Sequence, residues 1–241
     1  MKIPSIEEML QAGLHFGHSV SRWHPKMKDF IFTTRNQVHV IDLDKTQEQL
    51  KQVLEDVKNM AAEGKKILFV STKPQAREIV KNAAVSCEMP YLVERWIGGM
   101  LTNFNEIKKL IRKFNTMTEK KAKGELGNYT KKEQLEISRE LEKQGKTLTG
   151  LSALNRIPDI IFVPSVQKEK TAITEANRLN IPIVGVCDTN ANPNKVDYVI
   201  AANDDAVKSI EMIVNLVAGA VKEGNEIFAE KEKIAPTTEK K

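Results

Sequence analysis

Four short runs of almost unbroken apolar residues punctuate the chain: Ile67-Leu68-Phe69-Val70, Asp159-Ile160-Ile161-Phe162-Val163, Ile181-Pro182-Ile183-Val184-Gly185-Val186 and Tyr198-Val199-Ile200-Ala201. Strands buried on both faces of a parallel sheet read this way, because every side chain meets an apolar neighbour rather than every second one. Tyr91-Leu92-Val93 is a shorter segment of the same kind. Between the runs the pattern changes to a helical repeat. Leu50, Val53, Leu54, Val57, Met60 and Ala61 share one face of a helix ending near Gly64. Ile79, Val80 and Ala83-Ala84 predict a second helix starting at Pro74, with Ser71-Thr72 as its hydroxyl cap. Ile173, Ala176 and Leu179 mark a third, and Ala206, Ile210, Ile213, Val214, Val217 and Val221 a long fourth. Strands alternating with helices predict an α/β fold built on a doubly wound parallel sheet.

Two regions break the alternation. Residues 104–148 contain no strand-like run; Ile107, Leu110, Ile111 and Phe114 form one helical seam, broken over residues 124–128. Thr130-Lys131-Lys132-Glu133 then reads as a capping box opening a second helix, with Leu135, Ser138 and Leu141 expected on its inner face. The two make an antiparallel helical hairpin inserted into the α/β unit. Near the N-terminus, Phe30-Ile31-Phe32-Thr33 and Val38-His39-Val40-Ile41 flank Thr34-Arg35-Asn36-Gln37 as a β-hairpin. The expected organisation is therefore an N-terminal arm with a β-hairpin (1–45), an α/β core (46–103 plus 149–224), the helical insertion (104–148) and a charged, disordered tail (225–241).

Composition adds one thing the pattern lacks. Of the net charge of +5, the stretch from Lys108 to Lys146 carries 12 Lys and Arg against 6 Asp and Glu, so the remainder is slightly acidic. Basic character concentrated in the insertion suggests contact with a polyanion there, although a solvated helical face has a similar composition. Cys87 and Cys187, without CxxC spacing, argue against a disulfide framework or a cysteine zinc ribbon. The opening residues have no apolar stretch of signal-peptide type and no run is long enough to cross a bilayer, so a cytoplasmic protein is expected, with no membrane partner.

The chain carries no GxGxxG, GxxxxGK[ST], GxSxG or HExxH motif, and no nucleophile, base and orienting group can be paired from spacing. Two constellations remain. Asp188-Thr189-Asn190 ends one core strand and Asn203-Asp204-Asp205 the next, so their carboxylates can converge at the sheet's carboxyl edge. Carboxylate oxygens with an imidazole suit a divalent cation, while capping of the long helix would account for Asn203, Asp204 and Asp205 equally well. On that reading a metal-dependent enzyme acting on a phosphate ligand through Asp188, Asp204 and Asp205 is the rival function. The second constellation mixes aromatic and basic residues: Arg22-Trp23-His24-Pro25-Lys26-Met27-Lys28, and Arg95-Trp96 at the head of the run through Gly98-Gly99 to Asn103-Phe104. Arginine forks and lysines suit phosphates and aromatic faces stack on unpaired bases, which favours RNA over a small-molecule substrate. The glycine pair predicts a sharp turn anchored by Trp96 and Met100, leaving Arg95 and Asn103 outward.

In Gly13-Leu14-His15-Phe16-Gly17-His18, Trp23-His24-Pro25-Lys26-Met27-Lys28, Ile41-Asp42-Leu43-Asp44-Lys45-Thr46, Arg95 through Phe104, Ile181-Pro182 with Asp188-Thr189-Asn190, and Asn203-Asp204-Asp205-Ala206, the chain resembles the bacterial ribosomal protein S-two family over residues 5–225. The resemblance implies a flavodoxin-like sheet with a protruding coiled-coil hairpin, a structural role without catalysis, and assembly onto small-subunit ribosomal RNA beside other ribosomal proteins, the large S-one protein among them. It implies a structural divalent ion, zinc before magnesium, held by His18, Asp188, Asp204 and Asp205 and pinning the arm to the sheet edge. The candidate RNA contacts are Arg22, Trp23, Lys26, Lys28, Arg35, Arg95, Lys108, Lys109, Arg112 and Lys113.

Overall fold

The computed structural model describes residues 3–234. It opens with a helix that hydrophobic periodicity did not reveal. Ser5 and Glu8 cap each other reciprocally, the Glu8 amide donating to Ser5 Oγ at 3.2 Å and the Ser5 amide to Glu8 Oε2 at 2.7 Å, and α1 (Ile6–Ala12) follows. The predicted hairpin is present as β2 (Ile31–Arg35) and β3 (Val38–Ile41), tightened to a two-residue turn at Asn36 and Gln37. Both have positive φ (50° and 60°), as the turn whose twist matches the strands requires. A third strand, β1 (Phe16–Ser19), pairs antiparallel with β3, giving the order β1-β3-β2. None of its four residues is buried, so it leaves no hydrophobic signature in the sequence.

The core then runs α2 (Leu43–Ala62), β4 (Ile67–Val70), α3 (Arg77–Ser86), β5 (Tyr91–Leu92), α4 (Phe104–Ala122), α5 (Lys131–Leu148), β6 (Ile160–Val163), α6 (Lys170–Arg178), β7 (Ile183–Cys187), β8 (Tyr198–Ala201) and α7 (Val207–Ile234). The five core strands are parallel in the order β5-β4-β6-β7-β8, the flavodoxin-like arrangement, in register through pairs such as Ile67 with Ile160 and Ile161 with Ile183. Alternate strand residues face two apolar layers. Ile67, Phe69, Ile160, Phe162, Val184 and Ile200 pack against α1, α2, α3 and α7. Leu68, Val70, Ile161, Val163, Ile183 and Ala201 pack against α4, α6 and the segment after β5. Phe69 and Phe162 meet edge to face at 5.2 Å, and each contributes about 2–3 kcal/mol by its burial. Phe104, Ile107, Ile111, Phe114 and Leu148 lie in the second layer, so the base of the 104–148 insertion shares the core.

The structure corrects three expectations. The second helix begins at Arg77, not Pro74: residues 74–76 form a turn, and the Thr72 hydroxyl donates to Glu169 Oε1 at 2.7 Å instead of capping a helix. On α5, Ser138 and Leu141 face inward as expected, but Leu135 is exposed, and Ile137 and Leu148 complete the inner face in its place. The charged tail is helical at its start: α7 continues through residues 225–234, held by Asn225 Nδ2 donating to the Cys87 carbonyl at 3.0 Å and by the Phe228 ring lying over Gly64. The remainder of that tail, 235–241, lies outside the described residues.

Candidate ion site and basic surface

Backbone contacts deliver the arm to the carboxyl edge of the sheet. The His18 amide donates to Thr189 Oγ1 at 2.8 Å, and the His24 amide to the Thr189 carbonyl at 2.7 Å. Asn203 binds the arm twice, its amide donating to the Leu14 carbonyl at 3.0 Å and its Nδ2 to the Gly13 carbonyl at 3.1 Å. Gly17 allows the approach, since a Cβ there would stand 2.6 Å from Thr189 Cγ2. Loops after β7 and β8 thus grip a strand that has no apolar anchor of its own.

The four residues nominated from sequence converge. His18 Nδ1 lies 3.1 Å from Asp188 Oδ2, and His18 Nε2 lies 3.4 Å from Asp205 Oδ2. One candidate ligand atom from each of His18, Asp188, Asp204 and Asp205 falls within 4.8 Å of the others. Asp188 and Asp204 are buried, His18 half-buried and Asp205 exposed. Asn203 Oδ1 accepts the amides of Asp205 at 2.7 Å and Ala206 at 3.2 Å, closing the turn that leads into α7 with the asparagine rather than with either aspartate carboxylate. Sequence reading missed the fifth member. Lys73, from the loop after β4, places Nζ 2.6 Å from Asp205 Oδ1 and 3.1 Å from Asp204 Oδ1, and also donates to the Asp204 carbonyl. A lysine just beyond the end of a central strand was the available signal.

The electrostatics follow from crowding three carboxylates in a part-buried edge. Burial and the neighbouring Asp188 raise the Asp204 carboxyl above its ordinary range, against the pull of Lys73 and of the Ser165 hydroxyl, which donates at 2.6 Å. Donating a hydrogen bond to the Asp188 carboxylate raises the His18 imidazole despite burial. Cys187, at the end of β7, is buried, and that burial, then Asp204 and Asp188, push its thiol far above the usual range. An imidazole and three carboxylates within one ion's reach are donors that fit zinc; magnesium would use the oxygens and keep more water.

The candidate RNA contacts fall on three elements. Arg22, Lys26, Lys28 and Arg35 are exposed on the arm, but Trp23 is half-buried, its ring 5.3 Å from that of His39, so part of the indole serves the arm's own packing. Arg95 is exposed at the mouth of a cleft of about 520 Å³, lined also by Thr72, Trp96, Lys168 and Glu169. On α4, Lys109, Arg112 and Lys113 are exposed, Lys108 is half-buried, and Lys109 pairs with Glu106 at 2.7 Å. The positive charge is unevenly shared: α4 carries six Lys and Arg against two Glu, whereas α5 carries five against four.

The run from Arg95 to Phe104 is organised by a residue that sequence reading did not consider. Glu175 on α6 accepts Trp96 Nε1 at 2.9 Å, the Gly99 amide at 2.9 Å, and the Leu101 and Thr102 amides at 3.1 and 3.3 Å. Gly99 sits at φ +80°, the turn that brings these amides onto one carboxylate. Trp96 and Met100 are buried beneath it, while Arg95 and Asn103 remain exposed.

The fold and this edge define a class: a flavodoxin-like doubly wound domain with a basic helical insertion and a histidine–carboxylate cluster where its arm meets the sheet. The profile of the family described as ribosomal protein S2 matches residues 9–224, and the chain belongs to that family. It is 46% identical over 243 residues to small ribosomal subunit protein uS2 of Parabacteroides distasonis, the match covering 98% of this chain and 87% of the relative. The uS2 protein of Porphyromonas gingivalis is 47% identical over 220 residues, covering 91% and 78% of the two chains. That of Bacteroides fragilis is 46% identical over 226 residues, covering 94% and 81%. The family is structural, so the rival reading of Asp188, Asp204 and Asp205 as an enzyme's metal site is set aside. No helix among the described residues is long and apolar enough to cross a membrane.

Proposed function

We propose that this protein is a structural constituent of the small ribosomal subunit that binds ribosomal RNA through the exposed cations of α4 and of the arm, and meets neighbouring ribosomal proteins, S-one among them, with its remaining surface. The observation that carries the RNA reading is the charge asymmetry of the insertion: α4 is strongly basic and α5 nearly balanced. Cations fixed along one helix neutralise phosphates without reading bases, so this contact contributes affinity and orientation more than sequence specificity. Arg95, held outward by the Glu175-bound turn, adds a second point of contact.

A divalent ion, zinc before magnesium, belongs to the same reading. His18, Asp188, Asp204 and Asp205 would hold it, and it would supply positive charge that fastens the arm to the sheet edge, where hydrogen bonds through Thr189 and Asn203 already align it. Co-sedimentation with small subunits, together with the salt dependence of binding to a small-subunit RNA fragment, tests the function. Affinity that falls steeply with salt is expected; affinity independent of salt, or failure to sediment with the subunit, overturns it.

A further inference from the structure

We infer that Lys73 is a built-in counter-ion of the histidine–carboxylate cluster, displaced from Asp204 when a divalent cation binds. This rests on the ion site proposed above. Each carboxylate has its oxygens assigned. Asp188 Oδ1 accepts the Thr189 amide at 2.5 Å and its hydroxyl at 3.1 Å, while Oδ2 faces His18 and accepts the Asp204 amide at 3.4 Å. Asp205 divides its oxygens between His18 and Lys73. Asp204 gives Oδ2 to Ser165, so its remaining oxygen is the one that Lys73 holds at 3.1 Å. An ion that takes one oxygen from each aspartate therefore contests Asp204 Oδ1 with the ammonium.

The position of Lys73 is set by the fold. Its loop leaves β4 with the Ser71 amide donating to the Leu92 carbonyl at 3.0 Å, and the next residue is clamped by Glu169, which accepts the Thr72 amide at 2.6 Å and its hydroxyl at 2.7 Å. The Lys73 side chain is only 12% exposed, so its charge is spent on the two aspartates rather than on solvent. Without that charge three carboxylates would crowd one edge around a single imidazole. Lys73 keeps the cluster closed in the ion-free protein, and lowers its affinity for the ion by the same interaction.

The test uses the full chain, stripped with chelator and titrated with Zn2+ and, separately, Mg2+. Lys73→Met keeps the stem and removes the charge; it is expected to bind Zn2+ at least about tenfold more tightly than the wild type, while Lys73→Arg stays within about threefold of it. In the wild type, acylation of Lys73 by an amine-directed reagent, read by mass spectrometry, is expected to rise several-fold on Zn2+ addition; this reading stands even where Lys73→Met does not fold. Equal Zn2+ affinity in wild type and Lys73→Met, or acylation of Lys73 unchanged by bound Zn2+, overturns the inference and leaves the ion site standing. Failure of all three proteins to bind either metal overturns the ion site and this inference with it.

Discussion

Trp96 and Glu175 lock two distant parts of the chain together: the indole N–H donates to one carboxylate oxygen at 2.9 Å, and the same carboxylate gathers the amides of Gly99, Leu101 and Thr102. Replacing Glu175 by Ala strands these donors in a part-buried turn and is expected to destabilise the protein by about 3 kcal/mol. The pH dependence has a definite sign. Burial pushes the carboxyl up, but the Trp96 N–H and the three amides outweigh it and hold it below its ordinary value of 4.5. The stabilisation is present in full above 4.5 and is lost as pH falls through the lowered value. Urea midpoints measured on the wild type and Glu175→Gln should therefore converge in acid; a constant gap at every pH would contradict the assignment.

His18→Ala is expected to reduce bound zinc and to speed amide exchange in residues 16–19, because among the described residues the imidazole is the arm's only side chain in the cluster. Elemental analysis of protein purified without chelator reads the first effect. Unchanged zinc content would remove His18 from the site.

Gly17→Ala probes the fit of the arm without touching a proposed ligand. Its Cβ would stand 2.6 Å from Thr189 Cγ2 and 3.0 Å from the His39 carbonyl, so the strand must shift outward. The expected cost is about 1–3 kcal/mol, concentrated in the arm. Hydrogen exchange should show lost protection in β1 and β3 with β4, β6 and β7 unchanged; uniform loss across the sheet would show that the arm and core unfold together.

Replacing Lys109, Arg112 and Lys113 by Ala on α4 should weaken binding to a small-subunit RNA fragment and lower the slope of log K against log salt by about 2–3, as expected for three lost phosphate contacts. Replacing Lys131, Lys132 and Arg139 on α5 removes the same charge and is expected to change the slope by less than half as much. Equal slopes for the two triple variants would mean that only net charge matters and that no face of the hairpin is preferred.

The sequence by itself determined the elements whose burial leaves a period in the chain. Ile67–Val70, Ile160–Val163 and Ile183–Cys187 are apolar at almost every position because both sheet faces are covered, and the capping box at Thr130 and Glu133 announces α5 before any contact is known. Asp188, Asp204 and Asp205 were legible as strand-end carboxylates for the same reason, since a strand's end is visible where its apolar run stops. Tertiary structure alone decided the rest. The strand β1 buries no face and so has no pattern, Leu135 points outward because the packing of α5 against α4 sets its rotation, and residues 225–234 are helical because Asn225 and Phe228 find partners at Cys87 and Gly64. Lys73 and Glu175 belong to this second group. Each meets its partners across 73 residues or more, from Glu175 to Thr102 at the nearest and 131 from Lys73 to Asp204, and a pairing over that distance has no local spacing from which to read it.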